Sequence, residues 1–253
     1  MTRCAGLWSG FAPTIMSVEI AIIAALEREV RRLVRNWPRR ELVSSGLSMT
    51  AFERDGVLVV CSGIGGELAR RAAVAVFACA QPRLVVSAGL AGALDTSLRI
   101  GQVFQPATVV DLRTCARFEA LGGSGVLVTA SSVLDHDAKR RIQGSYGAQA
   151  ADMEAASVAL VASQHGCPFL ALKAISDSAE FDMPPLDRFV DTRGRIRTTR
   201  FLAACAVRPQ QWAAVAKLGI HTARASQELS RALARLIEKQ GAALEPALSG
   251  RAR

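Results

Sequence analysis

The sequence predicts an α/β fold: one domain in which a mixed central β-sheet is flanked by helices. Three observations carry this. Short runs rich in Val, Ile, Leu and Ala recur along the 253 residues, and Ala-rich helical patterns separate several of them. Half of the residues are hydrophobic while only 5% are aromatic, which suits Ala-rich helices packed on Val/Leu strands better than an all-β sandwich. The length fits one generous core better than two small ones.

Residues 1–15 hold one Arg, a mixed apolar run and a Pro, too weak a pattern for a signal peptide, and are expected to form a disordered leader, with Met16 as an alternative start. The domain is expected to span residues 16–240. Strands are expected at Glu19 to Ala25, Val57 to Cys61, Leu84 to Ala88, Val103 to Val110, Val126 to Ala130 and Phe169 to Ile175, each bounded by polar or Gly-containing turns. Glu67 to Ala80 puts charge on one helical face and Ala, Val and Phe on the other, and Met153 to Gln164 is an Ala-rich, buried helix by composition. Residues 181–200 contain a Pro-Pro turn and several basic residues, and read as an irregular connection or lid. From Gln210 to Lys239 a long helix is expected, with Arg224, Arg231 and Arg235 on one stripe and Leu229, Leu233, Leu236 and Ile237 on the opposite one. Residues 241–253 read as a basic, flexible tail.

The formal charge is +9, and 13 Lys/Arg against 7 Asp/Glu follow Asp177, without the interleaved aromatics that stack bases. A solvated basic face is the plain reading, with peripheral attraction to a membrane surface second and nucleic acid not expected. Six cysteines without a C-x-x-C pair point to a reduced, cytoplasmic protein. His136, His165 and His221 are scattered, so no metal is expected.

Ligands of open α/β sheets sit beyond the carboxyl ends of the strands. Five such places stand out. Glu29 follows the first strand in "IAIIAALEREV", where an acid also suits a first helical turn. "CSGIGGELARRAA" is a Gly-rich turn opening a helix, yet Leu68 and the stretch from Leu84 replace the glycine and acid of a dinucleotide fingerprint. "SAGLAGALDTSLRIGQV" offers small residues, among them Gly89 beside Leu90, for close approach. "DMEAASVA" places Asp152, Met153 and Glu154 at a helix start, and "ALKAISDSAE" ends a buried strand in Ser176 and Asp177, for which an N-cap is the plain alternative.

In this order and spacing, these stretches resemble the nucleoside phosphorylase and nucleosidase superfamily, in particular the methylthioadenosine/adenosylhomocysteine nucleosidases, over residues 18 to 180. The segment "DMPPLDRFVDTRGRIRTTRFLAACAVRPQQW" resembles a subgroup, the hopanoid-associated phosphorylases that act on adenosylhopane. The resemblance implies cleavage of the N-glycosidic bond of a 5′-substituted adenosine, most simply adenosylhopane, with release of adenine. It implies Asp177 as the acid toward adenine N7, where desolvation at a strand end would help it hold its proton. Glu154 would accept from the ribose hydroxyls, Met153 would pack on the sugar, Ser176 would position Asp177, and Glu29 would activate water. Leu90 stands where the nucleosidase pattern has a serine, implying a more apolar pocket around Gly89 and Leu90. No cofactor is implied, with phosphate as an alternative co-substrate for which Arg28 or Arg70 could serve. A purine nucleoside, lipid-linked in the hopanoid case, is the expected partner, at the inner membrane face for that substrate, and a homo-oligomer is expected. A methylthioadenosine/adenosylhomocysteine nucleosidase of methionine salvage, or a silent nucleoside- or lipid-binding protein, are the alternatives.

Overall fold

The computed structural model describes residues 18–44, 46–181 and 212–249. The expected leader, most of the expected lid and the last four residues lie outside them.

The sheet is built outward from strands with no polar face. β1 (Ile20–Ala24) is buried throughout, as a strand covered on both sides must be. It pairs in parallel with β4 (Val57–Cys61) on one side and β5 (Leu84–Ala93) on the other. β5 pairs in turn with β11 (Phe169–Asp177), all nine of whose residues are buried. β2 (Arg39–Ser44) and β3 (Leu47–Arg54) form an antiparallel hairpin that continues the sheet beyond β4. At its far end β5 turns antiparallel to β10 (Ala150–Asp152), which leads through β9 (Val126–Thr129) and β7 (Thr108–Asp111) to β8 (Arg117–Glu119). The two-residue β6 (Val103–Phe104) pairs with β11. The result is the expected mixed sheet of an α/β domain, with its central strands β4, β1, β5 and β11 parallel.

Helices cover both faces. α1 (Glu27–Val34) follows β1, α2 (Gly66–Cys79) follows β4, α3 (His136–Tyr146) precedes β10, and α4 (Ala155–Gln164) joins β10 to β11. The Ala-rich faces of α2 and α4 pack together in the larger core, where small side chains let helix and sheet approach closely. α5 (Trp212–Ser249) covers the opposite face. Its buried Ala225, Leu229 and Leu233 meet β1, β5 and β11, while Arg224, Arg231 and Arg235 are exposed, so the two stripes read from the sequence are the two faces of the helix. Ser230 Oγ donates to the carbonyl of Glu29 at 3.5 Å, tying α5 to α1.

Four readings of the sequence change. The strand expected over Val103 to Val110 is interrupted, because Pro106 cannot donate to a ladder, and β6 and β7 join different neighbours. The β2–β3 hairpin was not expected, because β2 is mostly exposed and its charged residues mask the alternation. α3 is polar overall and escapes a hydrophobic-period search. α5 continues to Ser249 through residues read as tail, where Ala242, Ala243, Leu244 and Glu245 are good helix formers. Cys61, Cys79, Cys115 and Cys167 are free thiols, and no helix among the described residues is long and apolar enough to cross a membrane.

Candidate active site

The carboxyl ends of β1, β5, β10 and β11 open on a cavity of about 220 Å³ whose lining includes Glu29, Leu90, Met153, Glu154, Ser176 and Asp177. Six of the seven residues to which the resemblance gives a part thus meet in one place, with Asp152 beside them. The seventh, Gly89, lies just behind it: a Cβ there would stand 3.3 Å from Glu29 Oε2 and 3.7 Å from Lys173 Nζ.

Asp177 is aimed by a bulge. The pairing of β11 with β5 shifts register between Ile175 and Asp177, so Ser176 is the extra residue and the strand end turns toward the cavity. Ser176 Oγ lies 3.3 Å from the carbonyl of Ala91 and 2.7 Å from Asp177 Oδ1. Across β5, Gly92 makes the room: a Cβ there would lie 2.9 Å from Asp177 Oδ2. The other oxygen partner is a cation absent from the sequence reading. Lys139 of α3, buried itself, places Nζ 2.7 Å from Asp177 Oδ2, in a pair with both side chains withdrawn from solvent. The desolvated acid expected at this strand end is therefore also an ion-paired one. Neither Ser176 nor Asp177 is an N-cap among the described residues; the N-cap role falls to Asp135, which accepts from Ala138 N at the start of α3.

Glu29 sits in the first turn of α1, where Leu26 N lies 3.4 Å from its Oε2. It is buried, and that desolvation pushes its carboxyl up to about 7, opposed mainly by the Lys173 ammonium. Glu154 closes the far side. Its Oε1 accepts from Gly65 N at 2.7 Å, so the Gly-rich turn before α2 does hold an anion, and that anion is this side chain. Gly65 has φ 106°, a conformation open to glycine. Burial, and next the Asp152 carboxylate, push Glu154 to about 7 as well.

Beneath these two acids runs a buried polar layer. Lys173 Nζ pairs with Asp152 Oδ2 at 2.8 Å and donates to Ser87 Oγ at 3.0 Å, with both charged side chains almost fully buried. Asp152 also accepts from Thr129 Oγ1 at 2.7 Å and from Ala155 N at 2.9 Å. A pair this deep is held by its complete set of partners, and removing one member strands the other. Lys173→Met is expected to lower unfolding stability by about 3–5 kcal/mol, measured by urea denaturation; an unchanged midpoint would contradict this account.

Lys139 and Lys173 are the functional candidates that sequence reading missed. Lys173 left a signal, a lone lysine inside the apolar strand "FLALKAISD". Lys139 left none, since it lies among the charges of "HDAKRR" and only the packing of α3 shows that it turns inward. Of the two arginines considered for an anion, Arg28 borders the cavity, whereas Arg70 pairs with Glu67 on the outer face of α2. His165 ends α4 and stacks on Phe77, ring centroids 4.0 Å apart, away from the cavity. Among the described residues no group of three or more His, Cys, Asp or Glu is placed to hold a metal ion.

Solved structures with this fold include the futalosine hydrolase of Helicobacter pylori, at TM-score 0.65 and 17% identity, covering 88% of this chain and 99% of that one. The 5′-methylthioadenosine nucleosidase of Arabidopsis thaliana superposes with TM-score 0.63 at 19% identity, over 85% of this chain and 94% of that one. Among curated relatives, the 5′-methylthioadenosine/S-adenosylhomocysteine nucleosidase of Geobacillus thermodenitrificans is 28% identical over 218 residues, 70% of this chain and 92% of its own. The aminodeoxyfutalosine nucleosidase of Campylobacter jejuni is 23% identical over 228 residues, 74% of this chain and 98% of its own. The family model described as the phosphorylase superfamily matches residues 19–124 and 123–207, and with that match the chain belongs to the phosphorylase superfamily.

Proposed function

We propose that the protein is an enzyme that cleaves the N-glycosidic bond of a 5′-substituted adenosine and releases adenine, with water as nucleophile. The observation that carries this reading is the convergence of Glu29, Glu154 and Asp177 on one cavity. Breaking the bond leaves positive charge on the sugar and negative charge on the base, and each acid answers one need. Asp177, at the end of β11, serves the departing base. Glu154 accepts from the ribose hydroxyls as the sugar becomes cationic, with Met153 against the ring. Glu29 takes a proton from the attacking water, a task suited to a carboxyl whose burial brings it to about 7. Water is favoured over phosphate because a phosphate anion would face the Glu29 carboxylate, with Arg28 the arginine at the cavity rim. These steps need no metal or organic cofactor, and a silent binding protein would have no use for three converging acids.

For the 5′ group we favour a bulky apolar substituent, adenosylhopane being the reading taken from the sequence. Leu90, Leu26, Ile64, Val133 and Leu134 line the cavity together with Leu218 of α5, and Leu90 stands where the nucleosidase pattern carries a serine. A lipid-linked substrate would bring the protein to a membrane surface, where the exposed arginines of α5 would assist, and a homo-oligomer is proposed by analogy with the superfamily. The test is adenine release by the purified protein from adenosylhopane in detergent, beside 5′-methylthioadenosine, with and without phosphate. Release from the lipid, independent of phosphate, is the expected result. Fast release from 5′-methylthioadenosine alone would make this a salvage nucleosidase, and phosphate dependence would replace water as the nucleophile.

A further inference from the structure

Among the described residues, Lys139 is the one that borders both the catalytic cavity and a second, more polar cavity of about 400 Å³. That second space is lined by Asp95, His136, Arg140, Gln143 and Glu180 among others, and the Nδ1 atom of His136 is buried without a hydrogen-bond partner among the described residues. Among the described residues, the Lys139 ammonium meets Asp177 Oδ2 at 2.7 Å and the carbonyls of Ser178 at 3.1 Å and Phe181 at 3.2 Å. Two neutral carbonyls fix the head of the side chain. Of these three, the carboxylate is the partner able to receive its proton.

We propose that Lys139 is the proton source for the departing base, acting through Asp177 and reloaded from the second cavity. The inference rests on the nucleosidase reading above. As the bond between C1′ and the adenine nitrogen breaks, its electron pair passes into the purine, and N7 gains a proton from Asp177. Asp177 regains that proton from Lys139, which is left as a neutral amine. The attacking water bonds to C1′ through oxygen and gives its proton to Glu29. One proton then leaves Glu29 for solvent and one enters Lys139 through the second cavity, restoring the resting charges. Asp177 has the Lys139 ammonium 2.7 Å from Oδ2 and the Ser176 hydroxyl 2.7 Å from Oδ1, so the proton it passes to the base is replaced from the ammonium. Lys139 is thus a positioning and proton-supplying residue that acts on the base through Asp177.

The experiment compares two leaving groups. Adenine departs well only when protonated, whereas 4-nitrophenolate departs without a proton. Wild type, Lys139→Met and Lys139→Ala are assayed with the best-cleaved 5′-substituted adenosine and with the 4-nitrophenyl riboside bearing the same 5′ group. In Lys139→Met adenine release is expected to fall by roughly 10²-fold while nitrophenolate release stays within about threefold of wild type. Added propylammonium is expected to restore part of the adenine release of Lys139→Ala. Equal losses for both leaving groups would reduce Lys139 to a brace for the strand end and overturn the proposal, as would unchanged adenine release. If wild type cleaves the riboside but no adenosine, the proton supply is refuted while the sugar chemistry stands. If it cleaves neither, the nucleosidase reading fails and this inference falls with it.

Discussion

Asp177→Asn is expected to lower turnover by roughly 10²- to 10⁴-fold while the protein stays folded. An amide is nearly the size of the carboxyl, so Gly92 still leaves room, and its carbonyl oxygen can still accept from Lys139. What disappears is the group that, in the proposed mechanism, receives a proton from the ammonium and passes it on. Far-ultraviolet circular dichroism should match wild type, with a lower melting temperature because a buried ion pair has become an ion–dipole contact. Normal turnover in this variant would remove Asp177 from the mechanism.

The second large effect is expected at Glu29. Glu29→Gln should also cost roughly 10²- to 10⁴-fold in kcat/KM, and it should change the shape of the pH profile. Burial raises the carboxyls of both Glu29 and Glu154 to about 7, and the proposed mechanism uses both as carboxylates. The wild-type rate should therefore climb steeply between about pH 5.5 and 8, as two protons leave, and more shallowly in the variant, where only Glu154 remains to titrate. Stability should move the opposite way. A carboxyl with a raised folded pKa binds its proton more tightly than in the unfolded chain, so the wild-type fold loses stability as pH rises from about 4.5 through 7. Glu29→Gln should lose less over that range. A variant with the full wild-type slope in both profiles would show that Glu29 is not the titrating base.

These expectations depend on side chains that were visible in the sequence to different degrees. Glu29, Glu154 and Asp177 could be picked out because each follows a recognisable strand or opens a recognisable helix, and sheets of this class gather such positions at one edge. The central strands were legible for the same reason, being nearly continuous apolar runs. The outer parts were not. In β2 the residues Arg39, Arg40 and Glu41 are exposed and carry no strand signal, and β8 and β10 are only three residues long. Lys139 shows the deeper limit. Its neighbours in sequence are solvated, and its burial is a property of what α3 packs against, which a local pattern does not encode.

The bonds that define the cavity join distant parts of the chain: Gly65 to Glu154 across 89 positions, Ser87 to Lys173 across 86, Ala91 to Ser176 across 85. Parallel pairing of this kind pays its loop-closure entropy before any contact rewards it, and chains built so fold slowly. Until β11 docks beside β5, Asp177 has neither its bulge nor Gly92 opposite, and Lys173 has no Asp152 to neutralise. A nascent chain that has not yet made β11 carries Glu29 and Glu154 without the acid that completes them. The cavity is complete only once β11 lies beside β5, so activity during refolding is expected to appear no earlier than the closing of the sheet.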